Sequence, residues 1–150
     1  MSNIKDMNLY EKILKMSEEF IVEKTGHNNH QNYKYISDSD YTEVARRIFH
    51  KYRVVIFPSL QGEIQYNYKN KVTSFAIAFK LVNVDAPKEH ETVVIPAQGW
   101  DSSDKGVYKA NTGAKKYFLA LTFLASTGDD AENDVGGKRA KKSKSKSTDY

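Results

Sequence analysis

Lysines recur at helical spacing in the last third of the chain. Lys105, Lys109, Thr112 and Lys116 are separated by 4, 3 and 4 residues, so a helix lines them up as one stripe, with Lys115 beside it. A row of ammonium groups toward the N-terminal half of a helix, where free N–H groups also point, suits a phosphate backbone. An ordinary solvated face gives the same pattern. Farther upstream, Lys69 and Lys71 flank Asn70, Lys80 lies in an apolar run, and Tyr66 and Tyr68 stand two residues apart. Basic residues interleaved with exposed aromatics fit single-stranded nucleic acid, because every base has a face that can stack on a ring. Half-buried core tyrosines are the plainer reading in a chain with 10 of them.

Other chemistry has less support. His27 and His30 form an H-x-x-H, but it falls in a polar stretch after Gly26, and His50 and His90 have no evident partners. Asp101, Asp104, Asp129 and Asp130 are the residues a magnesium-dependent nuclease would use. The same residues also read as a helix cap at Asp104 and a turn at Gly128-Asp129-Asp130. Cysteine is absent, which removes disulfides, thiolate metal sites and cysteine nucleophiles and suits a reducing cytoplasm. There is no G-x-S-x-G, no phosphate-binding G-x-x-x-x-G-K and no G-x-G-x-x-G. The expectation is therefore a binding protein with no catalytic residue, no metal and no cofactor.

A length of 150 residues suits one domain, and 39% hydrophobic with 28% charged residues suits a polar globular chain. No segment approaches the roughly twenty apolar residues of a membrane span, and the N-terminus has no apolar signal core. The net charge of +4 is unevenly placed. Residues 138–150 hold six basic side chains against one acid, leaving 17 basic and 18 acidic in residues 1–137. A near-neutral core domain over 1–137 thus precedes a tail, 138–150, whose lack of apolar residues predicts disorder. Any anion site on the core must come from local clustering.

These side chains need elements to hold them. Leu9, Ile13, Met16 and Phe20 predict a helix from Asn8 to Lys24, stopped by Gly26. A polar loop over 27–32 and a short strand over 33–36 follow. A second helix runs from a cap at Ser37 or Asp38 to Tyr52, with Tyr41, Val44, Ala45, Ile48 and Tyr52 inward and Arg46 and Arg47 solvated. The period then changes to two. Val54–Phe57 reads as a short strand ended by Pro58, Glu63–Tyr68 as another, and Val72–Val84 as a long one with Phe75, Ile77, Phe79 and Leu81 on one face. Glu91–Gln98 is a further strand, completing an antiparallel meander. A last helix from Ser103 or Asp104 to about Ala125 would bury Ala110, Ala114, Tyr117, Leu121 and Leu124. Within it, Gly113 suggests close approach of another backbone.

Several of these pieces together resemble the essential recombination function (ERF) family of phage single-strand annealing proteins. The likeness rests on Asp104-Lys105-Gly106, on Ala110-Asn111-Thr112-Gly113-Ala114-Lys115-Lys116-Tyr117, on Phe123, and on Thr127-Gly128-Asp129-Asp130-Ala131-Glu132. Asn32-Tyr33-Lys34-Tyr35 and Val54-Val55-Ile56-Phe57-Pro58 extend it, so that it covers about residues 8 to 134. The resemblance implies an α+β annealing core: a curved antiparallel β-meander of three to five strands backed by helices. It also implies rings or filaments of identical subunits, with single-stranded DNA in a basic groove and ATP-independent pairing of complementary strands. The groove walls would be the helix with Lys105, Lys109, Lys115 and Lys116 and the hairpin with Lys69, Lys71, Lys80, Tyr66 and Tyr68. A phage exonuclease or a host single-strand binding protein is the implied partner, in the cytoplasm of a bacterial host. A metal-dependent nuclease and an interaction module with a basic tail stand as rival readings.

Overall fold

The computed structural model describes residues 3–24, 26–28 and 33–127, with 26–28 and 33–35 described by their backbone alone. The tail 138–150 and the Gly128–Glu132 motif lie outside the described residues.

Helix α1 (Leu9–Glu19) starts where expected, because Asn8 and Glu11 cap each other reciprocally. It ends five residues before the predicted boundary. The chain instead extends through Ile21, which bridges in parallel to Ser126; Val22 N–H donates to the Ser126 carbonyl at 2.9 Å. Phe20 then stacks on Phe123 with ring centroids 5.1 Å apart. A tertiary contact stops this helix, and Gly26 does not. Gly26 opens the short strand β1 (Gly26–Asn28), which pairs antiparallel with β2 (Tyr33–Tyr35), so part of the expected loop is a hairpin arm.

Helix α2 (Asp38–Tyr52) follows its prediction closely, with Ser37 as N-cap, Asp40 completing the capping box and Arg53 closing the helix at φ 57°. Its buried residues are Tyr41, Ile48, Phe49 and Tyr52, so Phe49 joins the expected face.

The main sheet has the order β3-β4-β5, antiparallel throughout, with β3 (Val54–Asn67), β4 (Val72–Asn83) and β5 (His90–Trp100). The two strands expected on either side of Pro58 are one strand of 14 residues. Pro58 is tolerated because β3 is an edge strand, where one row of N–H groups has no partner to lose. The register slips between Gln61 and Gln65, and Gly62 takes up the slip at φ +70°. At the β3–β4 turn the left-handed residue is Lys71, at φ 56°, while Asn67 and Asn70 accept backbone N–H bonds.

Helix α3 (Gly106–Thr122) packs along β5 and β4, and α2 packs against α1, α3 and β3. The resulting fold is α+β, a three-stranded antiparallel sheet with helices. Phe75, Ile77, Phe79 and Leu81 face the helices as their alternation predicts, and Phe79 stacks on Phe118 at 4.3 Å. The α3 stripe differs from expectation. Gly106, Ala110, Ala114, Phe118 and Leu119 are buried, whereas Tyr117, Leu121 and Leu124 are 63%, 64% and 82% exposed. The helix is apolar on two sides, and packing against the sheet selects the 4-4-4 row of small residues followed by Phe118.

Close approach of α3 to the sheet occurs at its first turn. A Cβ on Gly99 would fall 2.1 Å from the Gly106 carbonyl oxygen, and one on Gly106 would fall 2.5 Å from Thr73 Oγ1. Gly113, expected to allow such an approach, would have no neighbour within 4 Å of an added Cβ. Opposite this end of the molecule sits a buried polar knot. The Lys12 ammonium, fully buried, donates to Asn83 Oδ1 and Asp85 Oδ2, both at 2.7 Å, and Arg53 reaches the same Asp85 at 2.9 Å. These bonds tie α1 and the end of α2 to the β4–β5 connection. Among the described residues, no helix is long and apolar enough to cross a membrane.

Candidate nucleic-acid interface

The glycine contact just described positions the lysines. Because Gly99, Gly106 and Thr73 interlock, the start of α3 is pinned beside the root of the β3–β4 hairpin. Lys105 becomes the N-cap residue, and no side chain caps the helix. The expected cap at Asp104 is not formed; Asp104 is exposed. Asp101 does the local bracing instead. Its Oδ1 accepts from Ser103 N–H at 2.8 Å and from Ser103 Oγ at 2.7 Å, while its backbone N–H donates to the Lys71 carbonyl at 3.1 Å.

Lys105, Lys109, Thr112 and Lys116 line one open groove of about 580 Å³, together with Asp104, Tyr108 and Gly113. The 4-3-4 spacing is thus realised on a single face. The lysines are not electrically equivalent. Lys109 Nζ pairs with Asp101 Oδ2 at 2.7 Å, donates to the Trp100 carbonyl at 3.2 Å and lies over the Trp100 ring, 5.8 Å from its centroid. The Lys109 ammonium, followed by the Ser103 bonds, holds the Asp101 carboxyl well below the usual carboxylate range. Lys115 turns out of the groove altogether, toward α2, where it meets Asp38 at 2.9 Å and Thr42 Oγ1 at 3.0 Å. Lys105 and Lys116 have no ion-pair partner among the described residues.

The hairpin contributes from the neighbouring side. Lys69 and Lys71 are exposed at the turn and also lack an ion-pair partner among the described residues. Tyr66 and Tyr68 are 39% and 84% exposed and meet edge-to-face, 4.8 Å between centroids. Tyr66 stands opposite Thr73, the residue that touches Gly106, so these rings lie near the start of α3. Lys80 is placed differently. It sits near the far end of β4, between Phe57 and Thr92, on the sheet face that α3 does not cover. From Lys71 to Lys80 the strand covers roughly 30 Å, so Lys80 does not share the groove.

Two exposed aromatics at this end carry no place in the sequence reading. Trp100 is 63% exposed and Tyr108 71% exposed. Trp100 was hidden because it closes a strand, and its relation to Lys109 depends on how α3 crosses β5. Tyr108 falls three residues after Lys105 and four before Thr112, so the helical spacing that revealed the lysines marks it as a neighbour of their row.

Metal chemistry finds no cluster: among the described residues no three His, Cys, Asp or Glu side chains converge. Asp101 is engaged by Lys109 and Ser103, and Asp129, Asp130 and His30 fall outside the described residues. A second groove, on the other flank of α3, is lined by Ala45, Phe49, Val54, Ile56, Pro58 and Phe118. Its floor is apolar, and Lys115, expected in the basic groove, lines it together with Arg46 and Arg53, while Lys105, Lys109 and Lys116 do not.

No curated protein and no solved structure matches this chain. The family model of the ERF superfamily matches residues 9–150, taking in all three helices and the whole sheet, and the chain belongs to that superfamily.

Proposed function

We propose that this protein binds single-stranded DNA on the surface formed by α3 and the β3–β4 hairpin and anneals complementary strands without ATP. The ERF superfamily is known for single-strand annealing in recombination, which supports the general role. The observation that carries the site is the groove that holds Lys105 and Lys116, which have no ion-pair partner among the described residues, beside exposed rings and the hairpin lysines. Lysines neutralise phosphates and release counterions, whereas rings hold bases by stacking in a sequence-tolerant way. The strand is held by its backbone, with bases free to test a complement. No reaction chemistry is required of the protein.

Annealing needs the strand to be presented over more length than one subunit offers, and we assign that to assembly of identical subunits into a ring or filament. The exposed Tyr117 and Leu121 on α3, with exposed Leu124 just beyond its end, support this, since large apolar side chains grouped on a surface suit a protein contact. The basic tail 138–150 adds capture of DNA, and an exonuclease or single-strand binding protein is the partner class this role calls for.

The test is annealing of two complementary fluorescent oligonucleotides, without ATP, with EDTA present, across a salt series. Pairing faster than the protein-free control, fading as salt rises, is the expected result. No acceleration with intact strands would reject the function; strand cleavage that needs magnesium would replace it with a nuclease.

A further inference from the structure

We propose that Trp100 is the platform on which one unpaired base stacks, with Lys109 as the residue that positions its ring. This rests on the single-stranded DNA reading above and adds how unpaired strands are told from paired ones. Trp100 is the chain's only tryptophan, and it is 63% exposed. Leaving so large an apolar surface in water gives up the burial that normally keeps an indole inside.

The ring is exposed but its surroundings are fixed. Trp100 pairs with Val72 at the end of edge strand β5, and the next residue, Asp101, bonds to the Lys71 carbonyl. The Trp100 carbonyl itself accepts from Lys109. That lysine reaches from α3 around the β5 edge and places its ammonium over the indole. A cation over one side of an indole holds the ring by attraction to its π-electrons, and leaves the remainder of the ring to a ligand.

The charge arrangement assigns the roles. Lys109 is already neutralised by Asp101 at 2.7 Å, so it adds little to phosphate binding and serves to hold the ring. Lys105 and Lys116, which have no ion-pair partner among the described residues, stand on either side of it in the same groove. They stand eleven positions apart, about 16 Å at helical rise, enough for a short run of backbone to pass Lys109, whose ammonium lies over the Trp100 ring. A base inside a duplex is stacked on both faces by its neighbours and has none to offer; a base in a single strand does. The platform therefore favours unpaired DNA at no cost in sequence preference.

Because Trp100 is the only tryptophan, its own fluorescence reports the contact. The full chain is titrated with an oligothymidine, with an abasic oligomer of equal length and charge, and with a duplex of equal length. The expected result is quenching by the oligothymidine alone, although the abasic strand and duplex also bind through their phosphates. Trp100→Ala should weaken oligothymidine binding between about 5-fold and 150-fold, the range that stacking of one base supports. Its affinity for the abasic strand should stay unchanged, and Trp100→Phe should restore most of the loss. Lys109→Met should reduce the quench while leaving the salt dependence of binding nearly intact. Oligothymidine that binds without quenching, and binds Trp100→Ala equally well, overturns the platform and leaves the DNA-binding function standing. Failure of the wild-type chain to bind any strand overturns both. A fall in salt dependence for Lys109→Met as large as that for Lys105→Ala overturns the positioning role.

Discussion

Replacing Lys105 and Lys116 with alanine tests the interface at its strongest point, and the ion pairs predict a different outcome for Lys109 and Lys115. Both pairs lie on α3 or its N-cap, and in the sequence both read as parts of one basic surface. In the structure Lys109 is bound to Asp101 and Lys115 to Asp38, whereas Lys105 and Lys116 have no such partner among the described residues. A lysine already held by a carboxylate releases few counterions when a phosphate arrives. Among the described residues, four lysines at this end have no ion-pair partner: Lys69, Lys71, Lys105 and Lys116. For single strands each neutralised phosphate contributes about 0.7 to the slope of log affinity against log salt, so four contribute about 2.8. Between about 50 and 200 mM salt that amounts to a loss of roughly 50-fold. Removing Lys105 and Lys116 should lower the slope by about 1.4 and reduce the loss from these contacts to roughly 7-fold. The Lys109→Ala, Lys115→Ala chain should change the slope by less than the value of one contact, about 0.7. Fluorescence anisotropy of a labelled oligonucleotide across the salt series measures both. The basic tail contributes equally to every variant and cancels in the differences. An equal or larger slope change for the Lys109/Lys115 pair would refute the assignment of free and engaged lysines.

Two glycines should respond to alanine in opposite directions in denaturant unfolding. Gly113→Ala meets no atom within 4 Å and should stabilise α3 by about 0.5–1 kcal/mol, whereas Gly99→Ala drives its methyl into the α3 backbone and should cost about 1–3 kcal/mol or more. Lys12→Ala removes a fully buried cation from Asn83 and Asp85 and should destabilise the fold by about 3 kcal/mol, seen as a lower thermal midpoint. Burial, aided by Glu19, pushes the Tyr52 hydroxyl up to about 12 from the ordinary value of about 10. The folded state favours the protonated phenol, so stability should hold up to about pH 10 and fall between about 10 and 12. Tyr52→Phe should lose that step in urea melts at high pH. Leu121→Asp should reduce subunit association in analytical ultracentrifugation without changing the circular dichroism spectrum, because Leu121 is exposed.

What could be read from the sequence was whatever local chemistry controls. The spacing of Leu9, Ile13 and Met16 announced the first helix, and Ser37 announced the start of the second because its side chain bonds to the N–H three residues on. The inward row of Phe75, Ile77, Phe79 and Leu81 followed from strand alternation, and the groove of Lys105, Lys109 and Lys116 from helical spacing. The family was legible from short motifs spread over the chain. Tertiary packing decided the rest. The first helix stops at Glu19 because Phe20 and Val22 meet residues more than a hundred positions away. Pro58 looked like a strand end, and only membership of an edge strand makes it harmless. On α3 two apolar stripes competed, and the sheet chose the one with Ala110, Ala114 and Phe118, leaving Tyr117 and Leu121 outside. Lys12 reads as a surface residue until Asp85 and Asn83 are brought to it from the β4–β5 connection. The candidate site divides in the same way. Spacing along one helix identifies which lysines share a face, but whether each is free depends on carboxylates delivered by other elements. Asp101 comes from the end of β5 and Asp38 from the start of α2. Gly99 faces α3, so Trp100, the next residue of β5, turns to the sheet face that α3 leaves uncovered; its meeting with Lys109 depends on where α3 crosses the sheet, a contact set by Gly99 and Gly106.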